Sequence, residues 1–443
     1  MNKKILKNGF TGTLLAFVLT VGFTASAHAA VDPEVGYILN SLLFLIGGFL
    51  VMWMAAGFCM LEAGLVRTKN VATMCVKNVG LYALAGILYF LVGYNLMYSG
   101  VDGGFIGSLS LWGASETAAT EVINVETGYS SASDWFFQMV FVATAASIVS
   151  GTLAERIKLF PFFAFVIILT GFIYPIQGAW TWGAGWLSEL GFSDFAGSTI
   201  VHSVGGWAAL TGAIILGARK GKYDLNGNVR PIPGSSLTLA TLGTFILWLG
   251  WFGFNGASQL ALGSAIDATA VSQIFANTNM AAAGGVVSAL ALTKFLYKKV
   301  DLTMVLNGAL AGLVSITADP LSPTIGQAIL IGAVGGALVV FAVPLLDKFK
   351  IDDVVGAIPV HLVCGIWGTL AVPLTNADAT FVNQLIGILA IGAFVSVASA
   401  IAWYGLKYTV GIRMSEEDEA KGGDLAELGM EAYPEFGHGS QKI

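Results

Sequence analysis

The chain has 443 residues, of which 56% are hydrophobic and 11% charged, and its formal net charge is −6 at pH 7. So few charges exclude a water-soluble globular protein, and the 56 glycines are well above ordinary usage. Apolar runs of about twenty residues, the length that a helix needs to cross a bilayer, recur along the whole chain. The composition therefore predicts an all-α polytopic membrane protein in contact with membrane lipid, and no nucleic-acid partner.

The first 29 residues have the features of a cleaved signal peptide. Three lysines precede a short apolar stretch (residues 11–23), and Ala27-His28-Ala29 supplies a cleavage site of the small-x-small type. A first transmembrane helix is the alternative, but the apolar stretch is short for that role. We expect cleavage after Ala29, which leaves the mature N-terminus outside the cytoplasm.

Eleven apolar spans follow the leader, beginning near residues 37, 73, 134, 159, 199, 236, 271, 303, 324, 354 and 383. Of the 21 Lys and Arg residues, three lie in the leader, and the other 18 lie in or beside the connections that follow odd-numbered spans. Positive charge stays on the cytoplasmic side of a membrane. The pattern therefore predicts an N-terminus outside and a C-terminus inside.

One pattern occurs twice: Asp194 lies eight residues before His202, and Asp353 lies eight residues before His361. The predicted topology makes the spans that carry the histidines cross in opposite directions. Spans 1–5 (about 37–220) and spans 6–10 (about 236–372) are then inverted repeats, with an eleventh helix (about 383–413) outside the symmetry. At 1.5 Å per residue, each histidine is roughly 12 Å deep in a core of roughly 30 Å, counted from opposite faces. Both imidazoles are therefore expected near the midplane, where sites of inverted-repeat proteins lie.

Each member of this pattern also has a purely structural interpretation. A buried histidine is often a satisfied core residue, and an aspartate at the start of a helix is often only an N-cap. Ionisable groups inside a membrane are nevertheless rare and costly. The duplication favours function for the histidines and leaves capping as an open alternative for the aspartates.

Four residues of the predicted outer half, Phe141, Trp182, Phe254 and Ser258, are candidates for selecting a permeant. An indole face attracts a cation, and a serine hydroxyl accepts a hydrogen bond from one. Interfacial or packing roles are the alternative for the aromatic residues.

The chain lacks the marks of an enzyme, since no nucleophile–base–acid set and no metal-ligand spacing occurs in it. Cys59, Cys75 and Cys364 lie in or beside apolar spans at unrelated spacings, which indicates packing residues and not a disulfide framework or a metal site. We therefore expect no enzymatic activity, no cofactor and no metal.

Several motifs together resemble those of the Amt/MEP/Rh ammonium transporter family, and they follow the family's order from span 1 to span 10. The tail around Gly411 to Glu419, followed by Glu431-Ala-Tyr433, is similar to the Amt branch and less so to the Rh branch. The motifs are Glu62-Ala-Gly-Leu-Val-Arg67 with Lys69-Asn70, Leu153-Ala-Glu-Arg156, Asp194 to His202 through Leu216-Gly-Ala-Arg219, Gly250-Trp-Phe-Gly-Phe-Asn255, Asn307-Gly-Ala-Leu-Ala-Gly312 and His361-Leu-Val-Cys-Gly365.

The resemblance implies an eleven-helix ammonium transporter domain (residues 30–413) in the cell inner membrane and a cytoplasmic regulatory tail (residues 414–443). It places the outer ammonium site on Trp182, Phe141 and Ser258, and a gate on Phe141 and Phe254. The signature aspartate, Asp194, is counted with the substrate-binding residues.

The resemblance further places the twin pore histidines on His202 and His361, and Asp353 becomes the structural counterpart of the signature aspartate in the second repeat. Family members are homotrimers, and many are blocked by a PII-type signal protein that binds the tail. We expect transport of ammonium or ammonia, with methylammonium as an analogue; the net species is open at this point.

Two alternatives remain. The first is an ammonium sensor or receptor that signals through its tail, although only about thirty residues follow Arg413. The second is a Rh-like conduit for another neutral gas. The tail itself is expected to begin as an acidic helix after Ser415 and to dock on a neighbouring subunit's inner loops, which present Arg67, Lys69, Arg219 and Lys220.

Overall fold

The computed structural model describes residues 31–117, 119–120 and 122–436, so the predicted signal peptide and the last seven residues of the tail lie outside the described residues. Within the described ranges the chain is helical and holds no strand, only two isolated β-bridges. Nine helices of this described part are long and apolar enough to cross a membrane, and two apolar helices are shorter. The predicted all-α, multi-pass class is confirmed.

The apolar helices, labelled α1 to α11, begin close to the predicted positions. When α3 is counted from Ser131, where its helix becomes continuous, the largest difference is at α7, whose start is predicted near residue 271 and lies at Ala265. The long helices are α1 Pro33–Leu65, α2 Thr68–Tyr98, α3 Val125–Thr152 (continuous from Ser131), α4 Leu159–Ala179, α5 Ser198–Leu216, α6 Leu237–Gln259, α7 Ala265–Tyr297, α9 Ile325–Lys348 and α11 Phe381–Thr409. The shorter ones are α8 Leu302–Ile316 and α10 Ile358–Leu374.

Glycine allows neighbouring helices to approach closely, both between the two halves and within the second half. Helix α1 packs along α6, and a Cβ at Gly243 would clash with the backbone nitrogen of Leu61. In the same way, a Cβ at Gly332 of α9 would clash with the carbonyl of Ala281 in α7. Lipid provides no hydrophobic force between helices, so small residues that admit close backbone packing stabilise such interfaces.

Both histidine-bearing helices begin with a π-helical turn. The turn covers Ser198–Ser203 in α5 and Ile358–Val363 in α10, and it carries His202 and His361 respectively. π-Helical turns often occur at functional sites, because the extra residue redirects a side chain. The same irregularity at the same place agrees with two halves built alike.

Helix α11 packs against the first half. The Trp403 indole stacks on the Phe165 ring of α4, with centroids 3.8 Å apart and an angle of 10° between the planes. Its Nε1 donates to the carbonyl of Ala208 in α5, 3.4 Å away. This helix therefore supports α5 from outside. Its Gln384 Nε2 also donates to the carbonyls of Ser193 in the first half and Thr369 in the second, at 2.6 and 3.0 Å.

A buried arginine ties together the side of the molecule that carries the basic connections, here called the basic side. The Arg156 guanidinium is fully buried and donates to the carbonyls of Thr152, Ala154, Gly217 and Asp352, at 2.6 to 3.1 Å. These acceptors lie at the ends of α3 and α5 and before α10. A planar guanidinium with five donors suits this role, whereas a lysine ammonium does not.

Two further arginines complete this cluster. Arg67 donates through Nε to Glu155 Oε2 at 2.7 Å, and Arg219 donates to both oxygens of Asp352 at 2.8 and 2.9 Å. Arg219 also lies 3.4 Å from Glu155. Within one chain, both guanidiniums bind loop carboxylates and not the tail, and their expected contact with a neighbouring subunit's tail stays a prediction.

The tail docks on the basic side of its own chain. Its helix runs from Glu416 to Lys421 and is capped by Ser415, as the sequence predicts. The Lys69 ammonium donates to the Glu419 carbonyl (3.0 Å), and the Lys220 backbone N–H donates to the Glu419 carboxylate (2.7 Å). Docking through Lys69 and Lys220 is therefore observed within one chain, and docking on a neighbouring subunit stays a prediction.

Candidate functional site

A cavity of about 350 Å³ opens on the side of the connections that follow even-numbered helices, called here the outer vestibule. Trp182, Phe141 and Ser258 all line it, although they come from the α4–α5 connection, α3 and the end of α6. The structure thus brings together the three residues that the sequence assigns to one outer site.

Two of these side chains are held in place by hydrogen bonds. The Trp182 indole donates from Nε1 to the Asp194 carbonyl at 2.9 Å, which fixes the ring at the cavity wall. The Ser258 hydroxyl donates to the Phe254 carbonyl at 2.7 Å. Because its hydrogen is used in that bond, the lone pairs of Ser258 Oγ remain to accept a hydrogen bond from a guest.

Two stacked phenylalanines close the bottom of the vestibule. The Phe141 and Phe254 rings have centroids 4.0 Å apart at an angle of 28°, and both side chains are buried. The Trp182 ring stands edge-on to Phe141 at 6.0 Å.

The two histidines meet directly behind the phenylalanines. His202 lies 5.1 Å from Phe254, centroid to centroid, and its Nδ1 is 3.2 Å from Nδ1 of His361. Both imidazoles are buried. A contact of this length between two ring nitrogens is a hydrogen bond in which one neutral ring donates and the other accepts. The predicted contact between the histidines is present.

His202 is also held by a residue to which the sequence assigns no role. The Trp251 indole stacks on the imidazole at 4.9 Å and donates from Nε1 to the Thr317 hydroxyl at 2.8 Å. Nε2 of His202 is buried and has no hydrogen-bond partner among the described residues. The ring therefore has one nitrogen engaged with His361 and one free.

The signature aspartate is a cap for the helix that carries His202. Its Oδ1 accepts from the backbone N–H groups of Gly197 and Ser198, and its Oδ2 accepts from those of Thr199 and Ile200, at 2.8 to 3.1 Å. The Asp194 side chain is buried and does not line the outer vestibule. The structure thus gives it no direct contact with a guest; it positions α5, and its carbonyl positions Trp182.

Asp353 has the matching role in the second half. Its carboxylate accepts from the backbone N–H groups of Gly356 (3.2 Å) and Ile358 (2.7 Å) and from the Thr152 hydroxyl (3.1 Å). Burial raises the pKa of this carboxyl, and the hydrogen bonds from Ile358, Thr152 and the Ala357 backbone offset that rise only in part. The capping interpretation holds for both aspartates of the repeated pattern.

The neighbouring carboxylate anchors the segment before α10. Burial raises the pKa of Asp352, but the hydrogen bonds from Arg219 and the charges of Arg156 and Arg219 outweigh burial and bring it well below its usual range. Asp352 is therefore charged at every physiological pH, and its bonds to Arg219 hold the chain six residues before Ile358, where the π-helical turn of α10 begins.

The path continues on the basic side of the histidines. A small cavity is lined by His361, Glu62 and Asn307, and a larger one of about 320 Å³ is lined by Asn307, Asp353 and Arg219. Asn307 and Val355 border both cavities. These two cavities therefore adjoin each other beyond the histidine pair, on the side away from the outer vestibule.

Sequence reasoning misses some polar residues of this path. Asp134 lines the outer vestibule and accepts hydrogen bonds from the Tyr94 hydroxyl and from Gln138 Nε2 (3.4 Å), and in the sequence it is only one acidic residue of an outer connection. Glu62 and Asn307 belong to recognised motifs, but nothing in their spacing indicates a cavity. No group of three or more His, Cys, Asp and Glu residues in the described part of the chain could hold a metal ion.

Residues 42–433 match the family model described as Ammonium Transporter Family. The chain is 41% identical to a putative ammonium transporter of Synechocystis sp., over 95% of each chain. It is also 41% identical to the ammonium transporter Amt2 of Archaeoglobus fulgidus, over 96% of this chain and 94% of that one.

Solved structures give the same result. A protein described as a sensor Amt protein matches with a TM-score of 0.83 and 35% identity, over 90% of this chain and all of that one. Candida albicans Mep2 matches with a TM-score of 0.76 and 26% identity, over 92% of this chain and 93% of that one.

Proposed function

Because the chain belongs to the ammonium transporter family, we propose that it carries ammonium nitrogen across the cell inner membrane along the path from the outer vestibule to the basic side. The observation that carries this proposal is the contact between His202 and His361 directly behind the stacked Phe141 and Phe254. A buried imidazole pair behind an apolar gate suits a small molecule that can exchange hydrogen bonds and a proton.

Ammonium binds first in the outer vestibule. The Trp182 indole attracts the cation through its π-face, and Ser258 Oγ accepts a hydrogen bond from one N–H group of the ammonium. Potassium has a comparable charge but no hydrogen to donate, so the hydroxyl discriminates against it. Asp134 adds a negative charge or a polar acceptor to the same wall.

The gate and the histidines act on the desolvated molecule. A bare cation at the membrane midplane costs several kcal/mol, whereas neutral ammonia does not carry that penalty. Rotation of Phe141 or Phe254 admits the molecule to the free Nε2 of His202. This nitrogen accepts a hydrogen bond or a proton in the tautomer whose Nδ1–H donates to His361. His361 then stabilises His202, whether neutral or protonated, through the contact between their Nδ1 atoms.

The chain is a multi-pass membrane protein, and we propose eleven crossings with the N-terminus outside and the C-terminus inside. The distribution of basic residues supports this orientation. Cleavage of the leader, a homotrimer with one path per subunit, and binding of a PII-type protein to the tail complete the proposal.

Uptake of methylammonium by vesicles containing the purified protein, with and without a membrane potential, tests the proposal. Wild-type vesicles are expected to take up the analogue, and His202→Ala and His361→Ala are expected to abolish uptake or change its dependence on the potential. Both variants should remain assembled in the membrane. Wild-type uptake in both variants would contradict the assignment of the pore.

A second candidate function is ammonium sensing, which the likeness to the sensor Amt protein favours. A sensor would bind ammonium in the outer vestibule and change the tail without net flux. Vesicles that bind ammonium but take up none, together with an ammonium-dependent change in protease cleavage of the tail, would identify a sensor and reject transport.

A further inference from the structure

One carboxylate oxygen on the basic side of the histidines has no described partner. Glu62 lies near the end of α1, and its side chain is buried. Its Oε2 accepts from Asn78 Nδ2 and from Ser150 Oγ, each at 2.8 Å. Its Oε1 is buried and accepts from no described residue. Buried carboxylate oxygens are nearly always hydrogen-bonded, so an exception calls for an explanation.

The free oxygen belongs to a side chain that lines a cavity directly beyond the histidine pair. His361 and Asn307 line the same cavity, and apolar side chains, including Phe58 and Leu310, form most of the rest. The cavity has a volume of about 10 Å³ for the centre of a water-sized molecule, which is close to the minimum for holding one water. One small hydrogen-bond donor therefore fits there, and a hydrated ion does not.

We propose that Glu62 Oε1 is an inner binding station for ammonium, which donates an N–H hydrogen bond to it after passing His361. This inference rests on the proposed transport function and adds a second site to it. An unpartnered carboxylate oxygen accepts an N–H hydrogen bond and so offsets the cost of burying the donor in an otherwise apolar cavity. Asn307, shared with the larger cavity on the basic side, is the exit from this station.

A structural role is the competing explanation. Lys77 is fully buried, donates to the Ser150 carbonyl at 2.8 Å and lies 4.3 Å from the centroid of the Phe162 ring. Glu62 and Lys77 thus meet at Ser150 from opposite sides, and the carboxylate balances the buried ammonium. The hydrogen bonds at Oε2 are sufficient for this structural role, and the role does not explain why Oε1 has no partner among the described residues.

Glu62→Gln is the decisive variant, because it keeps the shape and one amide oxygen for Asn78 and Ser150. It removes the charge and places an amide donor where an acceptor was. The expected result is a fall in the maximal rate of methylammonium uptake by about tenfold to a hundredfold, the range of one hydrogen bond to a charged group. Glu34→Gln, the same change at an exposed position of α1, should leave uptake unchanged.

The double variant Glu62→Gln with Lys77→Met separates the two explanations. It removes both buried charges, so uptake should recover if Glu62 only balances Lys77, and this recovery would overturn the proposal. Uptake that remains low in a folded double variant supports an inner station. Infrared difference spectra provide a second measurement, since ammonium should perturb a carboxylate band that is missing in Glu62→Gln.

Different results would reject the transport function and the inner binding station. Wild-type vesicles without uptake would reject transport itself, whatever Glu62 does. Wild-type uptake together with full activity and an unchanged infrared signal in Glu62→Gln would reject only the inner station.

Discussion

Trp182 is the residue of the outer vestibule whose energetic contribution is easiest to isolate. Its Nε1 bond to the Asp194 carbonyl and its edge contact with Phe141 fix the ring, so a cation in the vestibule meets the π-face without further ordering. Trp182→Leu removes the π-face and keeps an apolar side chain in its place.

The magnitude follows from the exposure of the site. A cation–π contact contributes about 0.5–1 kcal/mol when exposed and about 2 kcal/mol when desolvated, and Trp182 is half-buried in an open vestibule. At about 1.4 kcal/mol for each factor of ten, the substitution should raise the half-saturating ammonium concentration by roughly two- to thirtyfold. The maximal rate should change less, because the gate and the histidines are untouched.

Vesicle currents measured over a range of ammonium and potassium concentrations provide the assay. Trp186→Leu is the matched control, because Trp186 lies on the same connection and packs on Trp180 without lining the vestibule. Unchanged ammonium-over-potassium preference and unchanged half-saturation in Trp182→Leu would refute the cation–π reasoning. Equal effects of both substitutions would refute the assignment to this cavity.

Three further predictions concern the supports of the path. Asp194→Ala should destabilise the protein by at least about 3 kcal/mol, since four backbone N–H groups lose a charged acceptor; a thermal midpoint no lower than that of Ser264→Ala, an exposed cap, would contradict it. The pKa of Asp352 is below its unfolded value of 3.8, so its contribution to stability is present above about pH 4 and lost as the pH falls further. Asp352→Asn should therefore flatten the acid dependence of the free energy of unfolding. An unchanged dependence in that variant would disprove the role of Asp352. Truncation after Met414 should lower methylammonium uptake without removing the protein from the membrane, and wild-type uptake would leave the tail without a regulatory role.

The contact between the histidines could be predicted because it follows from counting. Eight residues separate each of His202 and His361 from its capping aspartate, and the basic residues indicate that the two helices enter from opposite faces. Neither step requires knowledge of side-chain packing. The helix starts were predictable for the same reason, since apolar length and turn residues are local properties.

Other features depend on packing between distant segments and left no signal in the sequence. Trp251 looks like any aromatic residue of a membrane helix, and only the fold places it on His202. Glu62 reads as part of a motif, and its unpartnered oxygen is visible only where α1 meets Asn78 and Ser150. The resemblance assigns Asp194 to the binding residues, but both oxygens of its carboxylate accept hydrogen bonds from backbone N–H groups.

The position of Arg156 has a thermodynamic consequence. The residue binds the Asp352 carbonyl, just before the segment that leads to His361, and its own carbonyl accepts the Met414 N–H of the tail. Tail and permeation path therefore share one rigid partner. Binding linkage is reciprocal. If a ligand of the tail changes the affinity of the path for ammonium by some factor, ammonium in the path changes the affinity of the tail for that ligand by the same factor. Under the proposed function, this shared residue predicts that ammonium in the path changes the affinity of the tail for its ligands.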